Sequence, residues 1–495
     1  MTNTEQNKSY LFFLISTFSL ILSIYTSGKY FTLDADTINS ALVWGEIERS
    51  GFHAIKEWIP TDDNWYLSVY PIHFIIYKIF GYESINTLIA ISSLQVFTCA
   101  IISFLILSKI TSNKNSIFIV PFLCFLPYFC YKVGFISHPF SHNTSNLYGL
   151  LLIYVNLRIN RKILASIISS LIILIAGVSD PWYIASFGIP FLLYQLLSDS
   201  TDKKNKFIPS TIALISLLIY FSHIIQNWLA VPLSHFHLAS IEVIKSNIYW
   251  YAYGIGSMLN LFYADNEISR IASFVVIMTL GVYGLYKLYF AEKNAISFLL
   301  VMSVAGISGA YILGSPEKQY YSARFLVNIV YVFYIISFFM ILSKHGSKHL
   351  YIIAISFISI SSLVVHLKQN SDNLVSSAES QVKFMEQNGL NYGFGPYWSG
   401  NPNVVNWLSK GEIDFSPVIF RNDNGFIDWN TPHAQSFRNK IKPGNKKTFI
   451  MLSSDGESCS NIDLCIDGIN KQYGKPDTII KYQSSLFYVY DKGLN

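Results

Sequence analysis

Two carboxylates stand two residues apart in the segment TLDADTINSALVWGEIERSG, residues 32–51. They are Asp34 and Asp36, and they follow the first apolar run of the chain directly. A carboxylate within hydrogen-bond reach of a hydroxyl group can take its proton in a transition state, which typically contributes about 10²–10⁴-fold to the rate. The spacing therefore makes these two aspartates candidates for catalytic acids or bases.

A structural interpretation competes for one member of this pair. Asp36 precedes a helical pattern, and aspartate is a favoured N-cap because its carboxylate accepts a free backbone N–H. Gly51 suits the C-terminal cap of the same helix. The cap does not explain Asp34 or a second acidic pair, Asp62 and Asp63, for which solvated loop charge is the simple alternative.

Basic and phenolic side chains gather in the segment GSPEKQYYSARF, residues 314–325. An arginine at a helix start, such as Arg324, can bind phosphate oxygens with two parallel hydrogen bonds. Lys318, Tyr320 and Tyr321 are further candidates for the same phosphate site. The alternative for Arg324 is a long side chain that extends its charge to a membrane interface.

Two other short turns contain polar residues. The segment GVSDPWYIASFGIP holds Asp180 and Trp182, which could bind sugar hydroxyls, although Asp-Pro is also a common turn starter. The segment SHPFSHN holds His138 and His142, which are candidate substrate contacts. A pair of histidines could bind a metal ion, but no third ligand is evident, so we predict neither a metal nor another cofactor.

The last part of the chain is rich in Gly, Pro, Asn and Trp and contains the segment CSNIDLC. Cys459 and Cys465 of this segment are predicted to form a disulfide if they face an oxidising compartment, with a zinc-binding pair as the alternative. Trp398 is a candidate substrate contact, because aromatic rings stack on the apolar faces of sugars. The aromatic residues predicted to pack in the core of this region are Tyr397, Trp407 and Trp429. The cysteines predicted to pack within helices are Cys99, Cys124 and Cys130.

The composition defines the setting of these residues. Only 13% of the 495 residues are charged and 52% are hydrophobic, whereas soluble domains carry roughly 25% charged residues. The chain is therefore predicted to be a multi-pass membrane protein, and no long basic run indicates nucleic-acid binding. A helix needs about 20 apolar residues to cross a bilayer. About 11 segments fit, and the first is interpreted as a retained anchor: 10–27, 85–108, 116–136, 143–157, 163–179, 182–197, 207–229, 270–290, 295–313, 325–342 and 350–366.

Lys and Arg residues predict the orientation. They are more frequent in alternate loops, which places the N-terminus in the cytoplasm, and an odd helix count then places the C-terminus outside. The predicted domains are a transmembrane domain, 1–366, whose outer loop 28–84 carries the acidic residues, and an extracytoplasmic α/β domain, 367–495. Strands are predicted at Thr448–Leu452 and Leu486–Tyr490, and a helix at Cys465–Tyr473.

The outer loop continues with the amphipathic segment YPIHFIIYKIFG, residues 70–81. The order of first helix, acidic turn, surface helix ending at Ser-Gly, and Pro-aromatic helix ending at Phe-Gly resembles the GT-C glycosyltransferases. This resemblance covers about the first hundred residues and places Asp36 at the catalytic acidic position of the family. Thr37 stands where the family usually has Glu, so a motif of two carboxylates would have to use Asp34.

Within this superfamily the layout resembles the serotype-converting, Gtr-type O-antigen glucosyltransferases of bacteria. The resemblance implies an all-α polytopic fold and an inverting hexosyl transfer, with glucose as the first candidate sugar, from an undecaprenyl-phosphate sugar. The acceptor would be a hydroxyl of O-antigen, of lipopolysaccharide or of another surface glycan, at the periplasmic face of the inner membrane. The expected partners are the lipid-linked donor, the glycan acceptor and the lipid bilayer.

Three other classes of protein remain as alternatives. A transporter or flippase of lipid-linked sugars would carry ionisable groups deep within its helices, and these helices contain almost none. A glycan polymerase or ligase is expected to have its large outer loop midway along the chain. A protein or lipid A glycosyltransferase of the same fold would need the same acidic loop, which does not separate it from the main hypothesis.

Overall fold

The computed structural model describes residues 3–61, 63–197, 204–233, 236–262, 266–292, 295–343, 347–369, 374–431, 433–441, 444–453, 459 and 461–494. Most of this structure before residue 370 is helical. Six of its helices are long and apolar enough to cross a membrane, and they correspond to six of the 11 predicted spans. These candidate spans are Tyr10–Lys29, Ile85–Thr111, Lys162–Ser179, Glu267–Phe290, Tyr320–Leu342 and Lys348–Lys368.

The other predicted spans are shorter or interrupted. The expected crossing at 116–136 is a 3₁₀ turn followed by helices Ile119–Cys124 and Tyr128–Lys132, with a break before Tyr128 because Pro127 cannot continue the first helix. Helix Ile241–Met258 lies outside every predicted span. The remaining shorter helices of this region are His142–Arg158, Ile189–Leu197, Lys204–Phe221, Ile224–Trp228 and Ala295–Leu313, with a π-helical turn at Ile184–Gly188.

One helix forms the centre of the bundle. Val327–Leu342 has buried residues on every side, from Val327 through Met340. A helix that is apolar all round is suited to the middle of a bundle, where neighbours cover each of its faces. The 3₁₀ segment Tyr320–Leu326 leads into it and brings its first turns to the same end of the bundle as the acidic turn.

The outer loop after the first helix is itself compact. It contains helices Asn39–Ser50, Ala54–Glu57 and Tyr70–Phe80 and the short strand Trp58–Ile59. Gly51 ends the first of these helices with a positive φ of 84°, as its sequence position predicts.

The tail, which we define as residues 374–494, forms a mixed α/β unit. Its five-stranded sheet has the order Asp414–Pro417, Tyr392–Gly395, Thr448–Ser453, Ser485–Tyr490 and Thr478–Tyr482. The first three strands are parallel and the last two join antiparallel. Helices Leu374–Gln387, Tyr397–Gly400, Pro402–Leu408 and Ile462–Tyr473 accompany the sheet. The predicted helix and two strands are thus present, whereas three strands of the sheet were not predicted.

The tail packs against the outer loop. Strand Trp58–Ile59 pairs antiparallel with Ser436–Phe437 of the tail, and the Trp407 indole donates to the carbonyl oxygen of Tyr82 at 3.0 Å. Val404, Trp407 and Phe437 share one hydrophobic core with residues of the outer loop. The tail and the outer loop therefore lie on the same side of the helical bundle.

Candidate active site

A cavity of about 690 Å³ lies where the tail, the outer loop and the helix ends meet. Segments that are far apart in sequence line it, which explains why no continuous motif describes it. Its ionisable side chains are Lys29, Asp34, Asp36, Asp63, Lys132, His138, His142, Arg324 and His433. Its aromatic lining is Tyr30, Phe31, Trp65, Tyr128, Tyr131, Phe135, Phe140, Tyr321, Tyr397 and Trp398.

Asp34 forms the turn that precedes the first helix of the outer loop. Its Oδ1 accepts hydrogen bonds from the backbone N–H of Asp36 at 3.1 Å and of Thr37 at 2.9 Å, and from the Thr37 hydroxyl at 2.7 Å. An aspartate that binds the backbone two residues further on is a common turn former. The alternative interpretation of Asp36 as an N-cap is not met, because the helix begins at Asn39 with Ile38 as its N-cap and no side-chain cap.

The Asp36 carboxylate faces the cavity instead. Its Oδ1 accepts a hydrogen bond of 2.6 Å from the Tyr397 hydroxyl of the tail, and its Oδ2 accepts none within the described residues. Burial and the nearby Asp34 charge raise the pKa of Asp36 to about 7, although Tyr397 and His138 act in the opposite direction. A carboxylate with this pKa is well matched to general-base catalysis near neutral pH.

The pKa of Asp34 moves in the opposite direction to that of Asp36, because Asp34 has a histidine partner. His138 Nε2 lies 3.3 Å from Asp34 Oδ1. Burial alone would raise the pKa of Asp34, but His138 and the bonds from Thr37 outweigh it, so that its pKa lies below the usual value. The same pairing raises the pKa of His138 against the effect of burial. Two aspartates in one turn thus have pKa values moved in opposite directions, which is typical of sites that separate an acid–base group from a fixed charge.

Asp63 is a site residue that the sequence analysis did not identify. It lines the cavity, while Asp62 lies outside the described residues. Burial and the charge of Asp180 raise the pKa of Asp63, and His142 and Arg324 oppose this effect. The only sequence signal was its position before Asn64 and Trp65, in the second half of the same outer loop.

A second Asp–His pair lies at the other side of the cavity. His142 Nδ1 is 2.6 Å from Asp180 Oδ2, and His142 lines the cavity while Asp180 is fully buried behind it. Asp180 also accepts from the Ser145 hydroxyl at 2.5 Å and from the backbone N–H of Trp182 at 3.0 Å. The turn chemistry expected for Asp-Pro is therefore present. Trp182 stacks on Phe325, with ring centroids 4.2 Å apart, and does not line the cavity.

The predicted phosphate-binding residues separate into two groups. Arg324 and Tyr321 line the cavity, and the Arg324 guanidinium makes no hydrogen bond or ion pair with the part of the chain that the structure describes. Tyr320 and Lys318 are not in the lining; the Lys318 ammonium instead donates to the carbonyl oxygens of Gly314 and Pro316, at 3.2 and 3.0 Å.

Two lysines in the lining were not predicted as site residues. Lys29 at the end of the first helix and Lys132 contribute positive charge to the same cavity. Lys29 also donates to the carbonyl oxygen of His366 at 2.5 Å. The signal available in the sequence was their position at helix ends, which is shared by many interfacial lysines.

The tail closes one side of the cavity. Trp398 lines it with half of its surface exposed. Tyr397, which was predicted to be a core residue, is buried but also lines the cavity and binds Asp36. The His433 ring stacks on Tyr397, with centroids 4.7 Å apart and an interplanar angle of 9°. In a separate part of the tail, Cys459 and Cys465 form a disulfide.

Three bulky residues of the cavity wall have left-handed backbones. Trp65, Phe135 and Gln435 have φ angles of 61°, 48° and 59°. Such conformations cost about 1–3 kcal/mol each and cluster at functional sites, where the surrounding structure enforces them. Among the described residues, no group of three or more His, Cys, Asp or Glu side chains is arranged to hold a metal ion.

The helical bundle, its six candidate membrane spans and the charged cavity at the helix ends define a multi-pass membrane protein with a polar site beside the tail. No family model matches the chain, and a comparison with curated proteins gives no match.

Solved structures give several similarities. One is the crystal structure of the Archaeoglobus fulgidus oligosaccharyltransferase in complex with zinc and sulfate, with a TM-score of 0.48 and 11% identity over 96% of this chain and 73% of that chain. The apo form of that enzyme gives a TM-score of 0.49 and 10% identity over 94% and 73%. A third, archaeal oligosaccharyltransferase AglB from Archaeoglobus fulgidus with an inhibitory peptide and a dolichol-phosphate, gives 0.49 and 11% over 90% and 69%.

Proposed function

We propose that this chain is a glycosyltransferase of the GT-C type. It moves a sugar, with glucose as the first candidate, from an undecaprenyl-phosphate carrier to a hydroxyl of O-antigen, lipopolysaccharide or another surface glycan. The observation that carries the proposal is the shared cavity of Asp36, a carboxylate with a pKa of about 7, and Arg324, a guanidinium without a hydrogen-bond partner in the described chain.

The reaction is a single displacement at the anomeric carbon. The acceptor oxygen forms a bond to this carbon, the bond from the carbon to the phosphate oxygen breaks, and the leaving phosphate keeps its electron pair. Asp36 Oδ2 takes the proton of the acceptor hydroxyl as the new bond forms. Attack from the side opposite to the phosphate inverts the configuration of the sugar.

The leaving group requires positive charge rather than a proton. The phosphate of the donor becomes a monoester and gains negative charge, which fixed cations and donors stabilise. Arg324 is placed to bind its oxygens with two hydrogen bonds, and Tyr321, Lys29 and Lys132 line the same cavity. Lys318 and Tyr320 then support the structure around this phosphate site without touching the donor.

The other polar residues divide between the acceptor and the frame of the site. Trp398, half exposed in the lining, offers a ring face to the acceptor sugar. His138 keeps Asp34 ionised, and His142 presents to the cavity an Nε2 that has no hydrogen-bond partner among the described residues. Asp180 orients His142, and Trp182 supports Phe325 beside it.

The proposed location is the inner membrane of a bacterium. The N-terminus lies in the cytoplasm, and the acidic outer loop and the tail lie in the periplasm, as the distribution of Lys and Arg predicts. The contact between tail and outer loop supports this arrangement, because it requires both to be on the same side. A disulfide in the tail suits an oxidising compartment.

The direct test uses the purified full-length protein in proteoliposomes with radiolabelled undecaprenyl-phosphate glucose and O-antigen polysaccharide. The wild-type protein should attach the label to the polysaccharide, and Asp36→Asn should not. Asp467→Asn is the matched control, because Asp467 is an exposed aspartate of the tail outside the cavity. Movement of the labelled lipid across the membrane without a new glycosidic bond would identify a transporter and contradict the proposal.

A further inference from the structure

A hydrogen bond between side chains 361 positions apart connects the catalytic turn to the tail. The Tyr397 hydroxyl donates to Asp36 Oδ1 at 2.6 Å. We propose that Tyr397 is a positioning residue of the tail, which holds Asp36 in the ionised, correctly oriented form that accepts a proton, so that transfer requires the tail to be docked. This inference rests on the proposed function, in which Asp36 is the general base.

Several contacts fix Tyr397 at this place. Asn403, a few residues further along the tail, donates from its side-chain amide to the Ala35 carbonyl oxygen at 3.3 Å and to the Gln435 carbonyl oxygen at 2.8 Å. The stacked His433 ring covers one face of the phenol. Tyr397 thus occupies a fixed position relative to the acidic turn, and only 4% of its surface is exposed.

The phenol has two acceptors for its single proton. Besides Asp36 Oδ1, the Tyr397 oxygen lies 2.5 Å from Gln435 Oε1. The amide of Gln435 is held in turn, because its Nε2 donates to the Thr61 hydroxyl at 3.0 Å and its Oε1 accepts from Asn39. Gln435 also has a positive φ of 59°, a conformation that costs a non-glycine residue about 1–3 kcal/mol and persists only where the surrounding structure enforces it.

These two acceptors match the two states of a base. When Asp36 is ionised, the phenol proton points to its carboxylate and stabilises the charge. After Asp36 has taken the acceptor proton, the phenol can donate its hydrogen bond to Gln435 Oε1 instead, so neither state leaves the buried hydroxyl without a partner. Burial and the charge of Asp36 raise the pKa of Tyr397 well above its usual value, which keeps the phenol a donor throughout.

Several ionisable groups around Asp36 affect its protonation. Asp34, in the same turn, and Asp63, in the second half of the outer loop, disfavour the ionised form, and His138 of the helical region favours it. Burial raises the pKa of Tyr70 of the outer loop, and the charge of Asp36 adds to this effect. Tyr397 is the only one of these groups that the tail supplies and that acts as a neutral hydrogen-bond donor to Asp36. Its removal therefore changes the base without changing the net charge of the cavity.

The test is the pH dependence of kcat/KM for transfer by the full-length protein. Tyr397→Phe keeps the ring and its stacking on His433 but removes the hydroxyl. A hydrogen bond to a charged group contributes enough to move the rising limb about one to two pH units higher. Activity at pH 7 should fall about 5- to 50-fold and recover at alkaline pH. Tyr482→Phe, a tyrosine of the tail outside the cavity, is the control and should keep the wild-type profile.

A second variant keeps the test valid if Tyr397→Phe folds poorly. Tyr397→3-fluorotyrosine is nearly isosteric and is a stronger donor, so it should move the limb in the opposite direction, to lower pH. If the rising limb lies at the same pH in both variants and in the wild type, Tyr397 is only structural and the inference is overturned. Activity of Asp36→Asn at the wild-type level would instead contradict the proposed function itself, so the two failures are distinguishable.

Discussion

Two Asp–His pairs flank the cavity, and they differ in what surrounds them. Asp34 pairs with His138 at 3.3 Å in a turn that places a second carboxylate, Asp36, two residues away. Asp180 pairs with His142 at 2.6 Å, and its remaining bonds go to Ser145 and to the backbone of Trp182. The turn of the first pair therefore contains a carboxylate, Asp36, that has no imidazole partner. The turn of the second pair contains no such carboxylate.

The difference between the two pairs appears in the pKa values of their carboxylates. The pKa of each paired aspartate is lowered, because a histidine and further donors stabilise its charge against burial. The pKa of Asp36 is raised, because burial and the like charge of Asp34 outweigh the hydrogen bond from Tyr397 and the charge of His138. Of the three aspartates compared, Asp36 is the one without an imidazole partner, and it is the one whose pKa lies near neutral pH.

The largest expected effect comes from replacing, one at a time, the two aspartates in the turn of the first pair. Asp36→Asn should lower kcat about 10²-fold or more, because an amide cannot take the proton of the acceptor. Asp34→Asn should cost less, because asparagine still accepts the backbone bonds of the turn. Its loss of charge should also move the rising limb of activity to lower pH, since the Asp34 charge raises the pKa of Asp36.

These two variants are compared by transfer assays at several pH values, with expression and membrane content as controls. If Asp34→Asn abolishes transfer while Asp36→Asn remains active, the roles within the turn are reversed. Full activity of both variants would mean that neither carboxylate takes part in catalysis.

A smaller effect is expected on the cationic side of the cavity. Arg324→Ala should lower kcat/KM for the lipid-linked donor about 10- to 100-fold, the range expected for lost hydrogen bonds to a charged group. Arg324→Lys keeps the charge but loses the planar fork, so it should recover only part of the activity. Arg438→Ala changes an exposed arginine of the tail outside the cavity and serves as the control. Wild-type donor kinetics in Arg324→Ala would show that Arg324 only anchors its helix at the interface.

The smallest effect on chemistry is expected at the second pair. Asp180→Ala leaves His142, Ser145 and the Trp182 amide without their buried acceptor, which should lower stability by about 1–3 kcal/mol. Thermal unfolding of the purified protein measures this loss, and Asp467→Ala is the exposed control. The residual activity should keep its rising limb near pH 7. Loss of that limb in Asp180→Ala would place the second pair within the proton transfer itself.

The sequence predicts the parts of this molecule that depend on local composition. Each of the six long apolar helices lies on a predicted span, because a bilayer requires about 20 consecutive apolar residues. Helix Ile241–Met258 was missed because Glu242 and Lys245 interrupt its apolar character near its start. The break at Pro127 was missed because the flanking segments are apolar enough to be interpreted as one span.

The site was predictable only in part, for a different reason. Asp34, Asp36 and Arg324 stand at helix ends, where their type and position are visible in the sequence. Their partners come from other segments: His138 is 104 positions from Asp34, and Tyr397 is 361 positions from Asp36. Which aspartate pairs with histidine, and which is left over, depends on these long-range contacts and not on the spacing within the turn.

The central claim is that Asp36 is the general base, and the pH dependence of kcat/KM for the wild-type protein tests it most directly. A base must be ionised to accept a proton, so activity should rise with pH through the pKa of about 7 and level off above it. Asp34→Asn should move this limb to lower pH, and Tyr397→Phe should move it to higher pH. A wild-type limb near pH 4, or a rate independent of pH between 5 and 8, would contradict the assignment of Asp36 as the base.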